Sequence, residues 1–170
     1  MKVIINAGHT KNGAGSGAVG LLNESEETRN IIRYVSSLLK TKGHTVINAT
    51  VDKASSQTEY LKQVVKKANN SGGDLFILIH LNSGGGKGCE AYTWKGEKVK
   101  QAVNVCEELH NLGFVNRGVK DGSGLYVIKH TTMTAILIEV CFVDGQLDYD
   151  LYKKLGVFRV AQAIVKGLVK

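Results

Sequence analysis

Two stretches of this chain are apolar without alternation: LFILI, Leu75 to Ile79, and AILIEVCFV, Ala135 to Val143, interrupted only by Glu139. A strand with one wet face alternates apolar and polar residues, so runs like these belong inside a sheet that is covered on both faces. Further strands are expected at about 2 to 6 (KVIIN), 45 to 49 (TVINA), 89 to 94 (CEAYTW) and 125 to 129 (LYVIK), with the two long runs placed at 74 to 79 and 135 to 141. Helices alternate with them. Ile31, Ile32, Val35, Leu38 and Leu39 repeat at helical spacing before Gly43, and Tyr60, Leu61, Val64, Val65 and Ala68 do so before Gly72. Val99 to Leu109 and Val157 to Leu168 carry the same pattern. The pattern predicts an α/β fold with a mostly parallel, twisted sheet of six strands flanked by helices on both sides. In such folds ligands bind beyond the carboxyl ends of the strands.

Composition narrows the function classes. With 170 residues, 43% apolar and 22% charged, the chain has the size of one domain, taken as residues 1 to 170, with a substantial core. No run of about 18 apolar residues exists, and the apolar stretch in MKVIINAGHT is too short for a signal-peptide core. The expectation is synthesis in the cytoplasm without a signal peptide, no membrane insertion, and a monomer. Cys89, Cys106 and Cys141 are odd in number and lack metal or redox spacing, which predicts buried free thiols. A formal charge of +7 favours polyanionic surroundings. Nucleic acid is not the expected partner, because aromatics are only 6% and the lysines are scattered. The loop SGGGKG fails the phosphate-loop pattern, since Gly88 follows Lys87 where Ser or Thr is required. Cys141 lies in an apolar strand, where a thiol is inert.

Four polar residues break the apolar pattern. His9 follows the first strand in AGHT, and His80 ends the run LFILIH. An unpartnered imidazole there would pay a desolvation cost; the structural alternative is a core histidine bonded to a carbonyl. In NESEETRN, Asn23 reads as a helix N-cap and Glu26 as its capping-box partner, whereas Glu24 shares a face with Thr28, Ile31 and Val35 and so points inward. Its alternative role is to complement the helix dipole; Glu27 is the reserve candidate. Glu139 is the most informative charge, because a carboxylate in such a strand requires a cation, a metal or a raised pKa. Two histidines and one glutamate can supply three zinc ligands with a fourth position left for water, and a second carboxylate can move that water's proton. Asn82 would lie on the same side as His80 and serve as its hydrogen-bond partner; ordinary turn chemistry is the alternative.

These residues, with NRGVK at 116 to 120, LYVIKHTTM at 125 to 133 and ILIEVCFVD at 136 to 144, resemble the zinc-dependent N-acetylmuramoyl-L-alanine amidases of the type 3 group over nearly the whole chain. The resemblance implies that His9, Glu24 and His80 bind Zn2+, that Glu139 is the catalytic glutamate, and that the substrate is the muramoyl-to-L-alanine amide of peptidoglycan. Members often place Asn four residues after the ligand glutamate, a spacing that Glu26 and Asn30 meet; Glu24 is preferred for its NE motif and inward face. Arg117 resembles a position near the substrate groove, suited to a stem-peptide carboxylate; the alternative is a solvated loop cation. The missing signal peptide resembles a phage or prophage endolysin acting at the wall, with a wall-binding domain expected to follow in a longer chain. The non-catalytic rival is a basic module that binds wall polymer or another polyanion. It leaves Glu139 unexplained.

Overall fold

The computed structural model describes all 170 residues. Its elements are β1 (Lys2–Ala7), α1 (Glu24–Thr41), β2 (Thr45–Asn48), α2 (Gln57–Ser71), β3 (Leu75–Asn82), β4 (Cys89–Thr93), α3 (Lys100–Asn111), β5 (Asn116–Asp121), α4 (Tyr126–His130), β6 (Thr134–Phe142), α5 (Gln146–Leu155) and α6 (Val157–Val169). They form one six-stranded sheet in the order β2-β1-β3-β6-β4-β5. The first four strands in that order are parallel; β4 runs against β6, and β5 runs with β4. The two long apolar runs are the central strands β3 and β6, as their lack of alternation requires.

The sheet's two faces are unequally covered. Ile77 and Ile79 on β3 and Ile136 and Ile138 on β6 face α1, α3 and α6 in a cluster of 31 buried residues, while Phe76, Leu78 and Leu137 face α2 and α4 in a cluster of 13. Side chains alternate along a strand, so His80 continues the face of Phe76 and Leu78, and Glu139 that of Ala135 and Leu137. Both emerge on the thinly covered face, at the carboxyl ends of their strands.

Helix α1 begins as its sequence predicts, with the Asn23 side chain accepting from the Glu26 amide at 3.2 Å. Glu24 is buried and Glu26 exposed. All three cysteines are free and buried.

One expected strand is wrong and one was not foreseen. LYVIK, expected as a strand at 125 to 129, forms α4, with the Lys129 amide donating to the Leu125 carbonyl at 2.9 Å and Tyr126 stacked on His130. Periodicity cannot assign a run of four apolar residues and a lysine, and burial of the adjacent Val127 and Ile128 beneath the second layer decides for helix. The sixth strand is instead NRGVKD, Asn116 to Asp121, an edge strand with charged residues and a glycine that hide it from an apolar-pattern search. The strand count agreed only because these two errors cancel. Helix α5 was not anticipated either.

Helices α3 and α6 touch closely enough that a Cβ on Gly167 would fall 2.6 Å from the Val105 backbone. Gly167→Ala gains about 1 kcal/mol of helix propensity, but the overpacking costs about 1–3 kcal/mol. We expect a net loss of up to about 2 kcal/mol in urea unfolding with the slope unchanged; a stabilised variant would show that the helices can separate at no cost.

Candidate active site

The site is assembled at the carboxyl ends of β1, β3 and β6. His9 follows β1 with φ of +69°, a left-handed conformation that costs a non-glycine residue on the order of 1 kcal/mol. It is held there by main-chain bonds on either side, from the Gly8 amide to the Ile79 carbonyl (2.8 Å) and from the Thr10 amide to the Gly15 carbonyl (3.1 Å). The ring is fixed as well: Nδ1 lies 3.0 Å from the Gly15 carbonyl, to which it can only donate, so Nε2 is the nitrogen that faces inward.

Glu24, in the first turn of α1, receives both histidines. Its Oε1 lies 3.0 Å from His9 Nε2 and 3.0 Å from His80 Nδ1 and accepts the Leu81 amide at 3.2 Å; Oε2 accepts the Ala18 amide at 2.9 Å. Burial works against the charge on Glu24, but the bonds from His80 and His9 outweigh it and hold the carboxyl well below the usual range. Burial likewise pulls down the His80 pKa and prevails there, whereas at His9 the Glu24 carboxylate overcomes burial and raises it. Glycines make room for the cluster, since a Cβ on Gly8 would lie 2.5 Å from the His80 ring and one on Gly17 2.7 Å from Glu24 Oε2.

One ligand atom from each of His9, Glu24 and His80 falls within 4.8 Å of the others. Two imidazole nitrogens and a carboxylate oxygen about a tetrahedral ion at 2.0–2.1 Å would stand about 3.3 Å apart, so this set fits a metal ion with small adjustment. Glu26 is exposed and not in the group, and Glu27 is occupied by the Tyr152 hydroxyl at 2.9 Å.

Glu139 opens onto the same space. It lines with His9, Glu24 and His80 one opening, and with His9 and His80 a cleft of about 530 Å³ walled by Tyr60, Tyr92 and Tyr126. Its partner in the β3–β6 register is His80, and across β4 it is Glu90. The Oε2 atom of Glu139 is buried without a hydrogen-bond partner. Burial, with the charges of Glu24 and Glu90 adding to it, pushes its pKa up to about 8.

Asn82 also lines the cleft but is not a partner of His80, whose Nδ1 is taken by Glu24. Its Nδ2 donates to Glu90 Oε1 at 2.8 Å and its Oδ1 accepts the Ser83 amide, because the strand pairing shifts between His80 and Asn82. Arg117 lies on β5, where its Nε donates to Glu90 Oε2 at 2.8 Å. Glu90 itself, 2% exposed, escaped the sequence reading. The signal was available: in CEAYT it alternates with buried Cys89 and Ala91, and a carboxylate inside a strand poses the question that Glu139 posed. The amides of the loop SGGGKG are turned to acids that follow β6, Gly84 and Gly85 to Asp144 and Gly88 to Asp148, which accords with its failure as a phosphate loop.

Comparison with known proteins bears on this arrangement. A family model described as N-acetylmuramoyl-L-alanine amidase matches residues 3–170. The catalytic domain of the CD27L endolysin targeting Clostridia difficile has the same fold, with a TM-score of 0.92 and 32% identity over 99% of this chain and 97% of that one. The sporulation-specific N-acetylmuramoyl-L-alanine amidase of Bacillus subtilis strain 168 is 30% identical over 98% of this chain and 65% of its own length. An uncharacterized 38.4 kDa protein of Clostridium perfringens is 34% identical, and this chain spans 51% of its length. With its fold and nearly its whole length accounted for by one family, the chain belongs to the N-acetylmuramoyl-L-alanine amidases.

Proposed function

We propose that this chain hydrolyses the amide between N-acetylmuramic acid and L-alanine in peptidoglycan, acting at the bacterial cell wall as the catalytic unit, residues 1 to 170, with zinc held by His9, Glu24 and His80. The observation that carries the reading is Glu139: a carboxylate with an orphaned buried oxygen and a raised pKa that shares its opening with a three-ligand group. Nitrogen, nitrogen and oxygen ligands suit zinc, which when bound supplies a Lewis acid for the carbonyl and lowers the pKa of a water toward about 7.

The chain's own residues do the rest. The Gly15 carbonyl and the Ala18 amide keep the His9 ring and the Glu24 carboxylate aimed at the centre before any ligand arrives, so the site needs little reorganisation. Glu139 takes the proton from the attacking water and delivers it to the nitrogen of the departing L-alanine, which leaves as an amine. Its environment suits this dual role, because a group with a pKa near the working pH can both accept and release a proton. Asn82 and Arg117 are assigned to the substrate, the first in the cleft and the second with a carboxylate of the stem peptide. The positive charge of the chain favours approach to an anionic wall.

Glu139→Gln is expected to fold and to retain metal while losing roughly 10²–10⁴-fold in hydrolysis, read as release of new amino termini from purified walls. Retained turnover would remove Glu139 from the mechanism. His80→Ala should lower bound zinc from about one per chain to a small fraction, measured by elemental mass spectrometry after dialysis. Unchanged zinc would strike His80 from the ligand set.

The raised pKa has a sign that can be checked without substrate. Below the ordinary glutamate pKa of 4.5, Glu139 is protonated in both folded and unfolded chains and costs nothing; between 4.5 and about 8 only the unfolded chain gives up the proton, so stability falls with rising pH and levels off once the folded state ionises as well. In chelator-treated protein, Glu139→Gln should therefore unfold at the same denaturant concentration as wild type near pH 4 and be more stable at pH 9 by on the order of 2–4 kcal/mol. A difference independent of pH would show that the carboxylate is not strained by its surroundings.

A further inference from the structure

Glu90 is a buried carboxylate that neither belongs to the three-ligand group nor moves the proton in the proposed hydrolysis. Its Oε1 accepts the Asn82 Nδ2 at 2.8 Å and the Tyr92 hydroxyl at 3.0 Å, and its Oε2 accepts the Arg117 Nε at 2.8 Å. One side chain on β4 thereby ties together the end of β3, its own strand and β5. Asn82 and Tyr92 face the cleft that holds His80 and Glu139. Arg117 faces a neighbouring groove of about 510 Å³, bordered by Gly85, Gly86, Lys87 and Asp144.

The way Arg117 is held matters more than the fact that it is held. Glu90 engages Nε, leaving the two terminal nitrogens of the fork uncommitted, and the guanidinium plane is steadied 5.1 Å above the Phe142 ring. Its side chain is 39% exposed, so the fork is reachable from solvent. The one carboxylate bordering the groove, Asp144, commits its Oδ2 to the Gly84 and Gly85 amides, and Lys87 and the Arg117 fork are the two cations beside it. A planar fork gripped at one corner and stacked on a ring is prepared to take a second, planar anion with two oxygens.

We propose that Glu90 is a positioning residue that aims the Arg117 fork into this groove and thereby makes a carboxylate-reading subsite beside the scissile cleft, one that distinguishes a free carboxylate of the stem peptide from its amide. The inference rests on the amidase reading for the identity of the peptide. A carboxamide presents a donor nitrogen where the fork also presents donors, so amidation should remove the interaction and leave an unpaired polar group. Phosphate on a wall polymer would also suit a fork, but it would make the subsite indifferent to peptide amidation.

The test uses metal-loaded protein and two synthetic tripeptides, L-Ala-γ-D-Glu-L-Lys with a free α-carboxylate on the D-glutamyl residue and its α-carboxamide. Neither contains the muramoyl amide, so nothing is cleaved and calorimetry reads Kd directly. We expect the free acid to bind about tenfold more tightly. Arg117→Gln and Glu90→Gln should each bring that ratio close to one, and the double variant should be no worse than Arg117→Gln alone. Arg117→Lys should restore only part of the ratio, because an ammonium is a point charge without a fork. Equal affinity of wild type for the two peptides overturns the subsite. Loss of affinity for both peptides alike in Glu90→Gln, or losses that add in the double variant, overturn Glu90 as acting through Arg117. Hydrolysis of purified walls is scored separately, so failure of the amidase reading and failure of the subsite give different results.

Discussion

The carboxylate of Glu24 is the contact on which the site depends. It is buried at the first turn of α1, and it is shared between His9 from the loop after β1 and His80 from β3 while accepting amide hydrogens from Ala18 and Leu81. A charge so placed is tolerated only because every direction around it offers a donor. The same four contacts tie the glycine loop, the helix and the central strand into one body. Removing Glu24 would therefore do more than subtract a proposed metal ligand: two imidazoles and two backbone amides would lose their common acceptor.

Sheet topology explains why so many functional groups converge from so dispersed a sequence. The parallel strands β1, β3 and β6 bring His9, His80 and Glu139 to one edge of the sheet, as open α/β sheets do at their carboxyl ends. The reversed strand β4 then brings its amino-terminal residue Glu90 to that edge, opposite Glu139. Unequal covering completes the arrangement. Three helices close one face, and α2 with the five-residue α4 leaves room above His80 and Glu139 on the other.

Much of this was legible in the chain because the signals were departures from a simple pattern. Unalternating runs identified β3 and β6, and the polar residues that interrupted or ended them, Glu139 and His80, proved to share one opening. Helical facing separated Glu24 from Glu26, which the family spacing alone would have favoured, and the structure buries the first and exposes the second. What escaped was decided by tertiary context. Five residues of LYVIK have strand composition and become a helix because of what they cover, and β5 is a polar edge whose pairing with β4 supplies a reason to be extended that its own side chains do not. Asn82 is expected beyond the strand, on the side of His80 and as its partner, whereas β3 runs on to Asn82 and turns it to Glu90, because a shift in pairing cannot be read from alternation.

Three carboxylates meet at this end of the sheet, and their partners separate their roles. Glu24 is satisfied on both oxygens by imidazoles and amides, and Glu90 by an amide, a hydroxyl and a guanidinium. Each is held in one position by donors on both of its oxygens, as befits a ligand or a strut. Glu139 has neither counter-ion nor a partner for its buried Oε2, and it stands in the field of the other two. Its charged form is the one the protein does not stabilise, so its proton is the one that can be exchanged at little cost near neutral pH. The fixed charges of Glu24 and Glu90 are thus part of what makes Glu139 suitable for proton transfer, and the division of labour among three chemically identical groups follows from which neighbours each was given.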